Sequence, residues 1–305
     1  QNTVTLGNGT VLNASEPLVV SGGASGDAVS RALRGIDVIS RDTLAASFAI
    51  NADAMVLETS AAPLFSNRDV THFEQFRNAS YGSAAFFGNG QDIPAFLGDD
   101  KYSFAVYRGS TGGEETYGFG MSRSFDFDLA SLEINAAFGD DTGALLSDWN
   151  GGTDSSLFSA GMALTADISS VAQLSFELGY ATGQESSGLG QSADVLMNSA
   201  AVSLTQQHAF TRDDQFKLSL TLPAAVTAGS TSLSLPVASE SGGVFYQDVP
   251  IDLAPDKREV RLAVSYHRPL SRKTAVGVTL VDAYNRGNIA GARETGVLFG
   301  VNMRF

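Results

Sequence analysis

Histidine is the side chain best suited to moving protons near neutral pH, and this chain of 305 residues has three. His72 stands in THFEQF, His208 closes AAVSLTQQH, and His267 stands in VRLAVSYHRPL. None has a neighbouring nucleophile pattern. A Ser–His–Asp triad is defined by geometry rather than spacing, and with Ser and Asp this abundant, chance pairs are expected. A turn or lumenal histidine is the better account of each. The chain has no Cys, which removes disulfides, thiolate metal sites and a thiol nucleophile. The acidic pairs Asp99–Asp100, Asp140–Asp141 and Asp213–Asp214 lack the ordered oxygen spacing of a calcium loop and read as turn caps or as charges that keep loops solvated. The two GNG runs, 7–9 and 88–90, read as turns; neither opens a phosphate-binding motif. The expectation is a chain that is not an enzyme, with no catalytic, cofactor-binding or metal residues.

Whatever the chain does must therefore come from its shape. It carries 32 Gly, 8 Pro and 19 Phe, with 43% hydrophobic residues, a composition that suits strands and many turns. Its net charge is −14 and no basic run exists, so nucleic acid is not an expected partner. Mean hydropathy is +0.03 and no stretch of 18 consecutive apolar residues occurs, so no transmembrane helix is expected. A β-barrel spans lipid on short alternating segments of modest hydropathy and is not excluded. QNTVTLGNGT has neither the basic nor the apolar region of a signal peptide, so an exported protein would begin here by processing or truncation.

The chain reads as two parts. In residues 1–100, TVTLGNGTVLNAS implies short strands with Asn-Gly turns, and SGGASG a joint. Asp27 is placed as N-cap and Gly35 as C-cap of a short helix over AVSRALRG. Residues 36–50 fit a helix or extended chain equally; 51–100 read as linker. Residues 101–305 carry strand patterns near 102–109, 116–124, 130–138, 156–166, 171–181, 199–208, 214–222, 230–237, 244–253, 258–268, 273–284 and 294–305. The 244–253 segment is the weakest, because Pro250 suits only an edge, end or bulge. Alternation is clear: Leu218, Leu220 and Leu222 oppose Lys217, Ser219 and Thr221. If the last strand runs to the periplasm, turns fall at 125–129, 167–170, 209–213, 238–243 and 269–272. The long connections 139–155 and 182–198 then lie outside, as outer-membrane barrels arrange them. The single Trp, Trp149, leaves Tyr and Phe to anchor the interfaces.

The segments TLPAAVTAGSTSLSLPV (221–237), DLAPDKREVRLAVSYHRPL (252–270) and YNRGNIAGA (284–292), with terminal Phe305, carry a family likeness. They resemble the C-terminal translocator barrel of alphaproteobacterial autotransporters whose passenger is a subtilisin-like S8 serine peptidase. ALRGIDVISRDTLAASFAI (32–50) is similar to the segment preceding such barrels. The resemblance implies an outer-membrane location, protein secretion as the role, an N-terminal passenger as cargo, and Phe305 as a signal for the barrel assembly machinery. No subtilase motif is present, and about 100 residues are too few for that domain.

The expected fold is all-β: a twelve-stranded antiparallel transmembrane barrel over 101–305, with a linker and short helix over 1–100 in or near the pore. On this expectation Arg31, Arg34 and Arg41 face Glu133, Glu177 and Glu259 in the lumen, while Phe299, Val301, Met303 and Phe305 face lipid. Asn302 and Arg304 then face the lumen. The expected function is translocator and anchor. The alternative is a passive porin or structural outer-membrane barrel, one that could belong to a larger complex of envelope proteins; a soluble β-sandwich adhesin is a third reading.

Overall fold

The computed structural model describes residues 3–9, 11–13, 18–21, 28–41, 47–51, 56–59, 64, 92–98, 101–111, 114–140, 153–187, 193–240, 243–271 and 274–303. His72, Trp149, Asp27, Asp99, Asp100, Asp141, Arg304, Phe305 and the GNG run at 88–90 lie outside them.

Strands β1 (Thr3–Thr5) and β2 (Val11–Asn13) pair antiparallel across the Asn-Gly turn. Gly9 there has φ +89°, and its N–H reaches the Leu6 carbonyl at 2.9 Å. Next come β3 (Leu18–Ser21) and helix α1 (Ala28–Leu33). The helix stops before Gly35, whose φ of +75° is the left-handed value expected past a helix end. The described residues within 36–50 are extended: β4 (Asp37–Arg41) and β5 (Ser47–Asn51) pair antiparallel. β1 also pairs with β4, giving a small sheet in the order β2-β1-β4-β5. β6 (Val56–Thr59) pairs in parallel with β3.

The large sheet begins with β7 (Asp92–Gly98), followed by β8 (Tyr102–Thr111), β9 (Glu114–Asp126) and β10 (Ala130–Asp140). It continues through β11 (Thr153–Ser169), β12 (Ala172–Ser187), β13 (Ala193–Gln207) and β14 (Gln215–Glu240). The remaining strands are β15 (Gly243–Asp252), β16 (Val260–Pro269), β17 (Thr274–Tyr284) and β18 (Arg293–Met303). Its path is β18-β17-β16-β14-β13-β12-β11-β10-β9-β8-β7, antiparallel throughout, with β15 paired to β14 off the path. This is a large antiparallel sheet of the kind that outer-membrane β-barrels are built from. Among the described residues no pairing joins β18 to β7, so closure is not part of the described sheet.

Two expectations about strands are corrected. The sheet takes in β7, upstream of residue 101. The separate strands expected at 214–222 and 230–237 are one 26-residue strand. That strand changes partner midway: Gln215–Thr221 pair with β16, and Ser230–Glu240 pair with β15. β15 and β16 thus run in the same direction along β14, one above the other. The connections at 127–129, 170–171, 208–214 and 270–273 share one end of the sheet, here the short-turn end. Those at 112–113, 141–152, 188–192 and 285–292 share the other, the long-connection end. The tip of the β14–β15 hairpin, 241–242, lies beyond that second end, not at the short-turn end where 238–243 was expected.

The handover in β14 has a local cause. Pro223 brings no N–H, and the β13–β14 register slips between Asn198 and Ala200. Arg258 fills the gap: its Nη2 donates to the Pro223 carbonyl at 2.7 Å and the Asn198 carbonyl at 3.1 Å, and Nη1 donates to Asn198 Oδ1. A guanidinium replaces the ladder where one strand departs before the next begins. Pro250 fits because β15 pairs on one side with β14 and carries it as an edge strand.

Candidate functional site: inner face and mouth

Along β9–β13, the first half of β14 and β16–β18, large apolar side chains alternate with small or polar ones, and over most of their length the apolar set is the exposed one. Phe119, Phe138 and Phe158 lie side by side in register on β9, β10 and β11 and are all exposed. Phe104 and Phe119 stack at 6.5 Å, and Phe119 meets Phe138 at 5.8 Å. On β12 the outer row is Leu174, Phe176, Leu178 and Tyr180; at about 3.3 Å per residue it spans about 20 Å, the scale of the apolar band on a membrane barrel. Phe299 is 77% and Val301 63% exposed, as expected for a lipid-facing last strand. The outer face turns polar at the long-connection end, where Gln184 bonds Asp194 and Arg293 pairs with Asp282 at 2.8 Å. It turns basic and aromatic at the short-turn end, with Arg123, Arg268, Phe127 and Phe210 exposed.

The opposite face is polar and more enclosed. Asn135, Ser159 and Ser265 are buried, Thr165 bonds Ser175 at 3.0 Å, and the Thr279 hydroxyl donates to Ser265 at 3.0 Å. Glu177 lies close enough to act on the Lys217 ammonium. Glu133 and His267 are on this face too. It is the inner face expected of a polar lumen. Of the two described histidines, His267 is the one on this face; His208, with φ 55°, sits in the turn after β13.

At the long-connection end this inner face becomes apolar and carries the N-terminal unit. Val4, Leu6, Ala28, Val29, Leu33 and Val38 form one core with Leu157, Met197, Leu233 and Ile251. α1 packs on β15 and β4 on β14. The Gly7 N–H donates to the Ser234 carbonyl at 2.8 Å, and a Cβ on Gly7 would lie 2.4 Å from Ser234 Oγ. Glycine is the residue that permits this approach. Arg31 donates to the carbonyls of Ala254 at 2.9 Å and Asp252 at 3.4 Å, and pairs with Asp256 at 3.6 Å. The helix thus sits on the β14–β15 hairpin at the long-connection end rather than along the polar part of the inner face. Arg34 is exposed, and the Arg41 side chain lies outside the described residues. Leu64 packs against Val281 and Ala283 of β17.

Glu259, expected to face the N-terminal arginines, has other partners. Arg286 Nη1 donates to it at 3.2 Å, the Gly287 N–H at 2.7 Å, and Arg261 also pairs with it. Arg286 Nε reaches Glu294 at 2.9 Å, and Asn288 Oδ1 accepts the Glu259 N–H at 2.9 Å. Glu259 and Arg286 are both buried. Asn285 and Asn288 take positive φ, a conformation Asn tolerates, which turns the 285–292 connection back on itself. The asparagines and glycines of YNRGNIAGA signalled that turn; the Arg286–Glu259 pair, 27 residues apart, had no sequence signal.

Asp214 fulfils the turn-cap reading of the third acidic pair. Its carboxylate accepts the N–H of Phe210 at 3.1 Å and of Thr211 at 2.8 Å, and the Tyr266 hydroxyl at 2.9 Å. Burial pushes its carboxyl up, but these hydrogen bonds together outweigh that and hold it below the ordinary aspartate value. A folded-state value below the unfolded one gives stability that is complete above the unfolded value and is lost as pH falls through the folded one. The stability gap between the parent and Asp214→Asn is therefore expected to hold from pH 7 to about pH 4 and to shrink below it. Denaturant midpoints measured across that range check this; a gap unchanged at acid pH counts against it.

The fold and its two faces define a class, an antiparallel sheet with an apolar outer surface and a polar interior. No family model and no curated protein matches the chain. In structure it is similar to OmpT (in-vitro folded), an outer membrane protein of Vibrio cholerae, with a TM-score of 0.42 and 8% sequence identity over 68% of this chain. The match spans 62% of that protein's length.

Proposed function

We propose that this chain is an outer-membrane β-barrel with a structural or passive transport role, its external mouth occupied by its own N-terminal unit, and that it performs no chemistry. The observation that carries the reading is the continuous outer surface of exposed Phe, Leu, Met and Tyr side chains, bounded by polar residues at both ends of the strands. In water such a surface would far exceed the apolar patches that soluble monomers tolerate. In lipid it is the favourable outer face of a barrel whose backbone groups pair within the sheet. The long-connection end is then external, and the proposed partners are outer-membrane lipid and the barrel assembly machinery.

A translocator or anchor for a subtilisin-like passenger is the second reading. It is favoured by the N-terminal unit on the external end, where it would display whatever precedes it. Against a single pass through the lumen stands β7. It runs antiparallel to β8, so Asp92 begins it at the long-connection end, the same end that carries residues 3–9 and 28–39. The chain between them joins two points on one side.

The refolded full chain is expected to float with phospholipid vesicles through a density gradient and to resist alkaline extraction. Recovery in the aqueous fractions would overturn the membrane reading.

A further inference from the structure

Among the described residues, two arginines on the outer face lie over aromatic rings, and they differ in one respect. Arg293, at the long-connection end, stacks on Tyr284 at 4.6 Å and also pairs with Asp282 through two hydrogen bonds of 3.0 and 2.8 Å. Its charge is neutralised within the protein. Arg123, toward the short-turn end, lies 5.2 Å from the Tyr102 ring centroid and 4.5 Å from that of Phe125. Among the described residues no carboxylate pairs with it. It is exposed, in register between Tyr102 on β8 and Ile134 on β10, and Ile134 is itself 49% exposed on the same outer face.

A guanidinium on a lipid-facing surface is costly unless it reaches the interface and finds acceptors. Two rings at cation–π distance supply part of its electrostatic stabilisation, but they accept none of its five in-plane N–H donors. Those donors suit a planar pair of anionic oxygens. Phe127 and Leu129, both exposed, continue the apolar surface into the turn below it. Asp126 and Asp128 are near in sequence; by alternation Asp126 belongs to the inner face, and Asp128 lies in the turn. In a chain with a net charge of −14, the exposed cations at the short-turn end include Lys101, Arg123, Arg212 and Arg268.

We infer that Arg123, held between Tyr102 and Phe125, is a binding site for the phosphate of an anionic phospholipid in the leaflet at the short-turn end. This rests on the membrane reading above. The fork geometry favours phosphate oxygens two at a time, and the flanking rings with Phe127 offer apolar surface to the acyl chains.

The test is native mass spectrometry of the folded full chain released from detergent micelles doped with phosphatidylglycerol, after insertion into vesicles has been scored by flotation. The parent is expected to retain phosphatidylglycerol over phosphatidylcholine. Arg123→Gln should lower that retention about tenfold, the equivalent of losing one charge-assisted pair of about 1.4 kcal/mol. Arg123→Lys, which keeps the charge but not the fork, should fall between them. Arg293→Gln should leave retention unchanged, and each variant's folded gel mobility reports that it still folds. Equal retention by the parent and Arg123→Gln in inserted protein overturns the site while leaving the membrane reading intact. Displacement of the lipid by millimolar inorganic phosphate would mark a free-anion site and overturns the lipid assignment. Failure of the parent to enter vesicles overturns both.

Discussion

Arg286→Ala is expected to destabilise the folded chain by about 3–5 kcal/mol, the loss typical of breaking a buried ion pair from one side. The side chains of Arg286 and Glu259 are each only 3% exposed, so water does not replace the lost partner. Glu259 would keep Arg261 and the Gly287 N–H, while Glu294, 45% exposed, would be solvated instead. The loss should therefore come almost wholly from Glu259, still buried but left with Arg261 as its one ion-pair partner. Replacing both partners, Glu259→Met with Arg286→Leu, should recover most of it, because apolar side chains of similar size leave no buried charge. Denaturant titration followed by the gel mobility of the folded form measures both. A single variant within about 1 kcal/mol of the parent would mean that this pair behaves like a surface one.

The second large effect concerns the mouth. Deleting residues 3–41 should convert a poorly conducting protein into an open one in planar bilayers. Arg31→Glu should raise the open fraction on the order of tenfold. That estimate counts the 2.9 Å hydrogen bond of Arg31 to the Ala254 carbonyl at about 1.5 kcal/mol for a charged donor, and takes the 3.4 Å one to Asp252 as weak. Its pair with Asp256 adds little, since Asp256 is 70% exposed. The glutamate would also face those carbonyls with the wrong charge. Conductance unchanged in both variants would show that the N-terminal unit does not occlude the passage.

Much of the large sheet was legible because each of its strands meets two environments. Where Leu218, Leu220 and Leu222 alternate with Lys217, Ser219 and Thr221, period two is unavoidable and the strand is readable. The connections at 127–129, 170–171, 208–214 and 270–273 follow from it. β14 was not readable as one strand. Pro223 and Gly229 look like punctuation, yet the chain passes straight through both, because Arg258 supplies hydrogen bonds at one and the other sits opposite Val195 in register. β7 was missed for a similar reason: Pro94 interrupts DIPAFLG, and the register with β8 slips between Asp92 and Ala95. The resting place of α1 was beyond sequence reasoning. Its AVSRAL pattern says that Val29 and Leu33 need cover, but not that Ile251 and Leu253 provide it.

The Arg31 contacts join residues 221 and 223 positions apart in the chain, and the core around Val29 needs Leu233, Val249 and Ile251. During synthesis the N-terminal unit is therefore made first and completed last. Until the hairpin of β14 and β15 exists, Val4, Val29 and Val38 have no surface to bury against. A six-residue helix and three-residue strands cannot hold themselves together alone. The unit therefore lacks its core until the large sheet is nearly finished, which sets the order of assembly: sheet first, the N-terminal unit last.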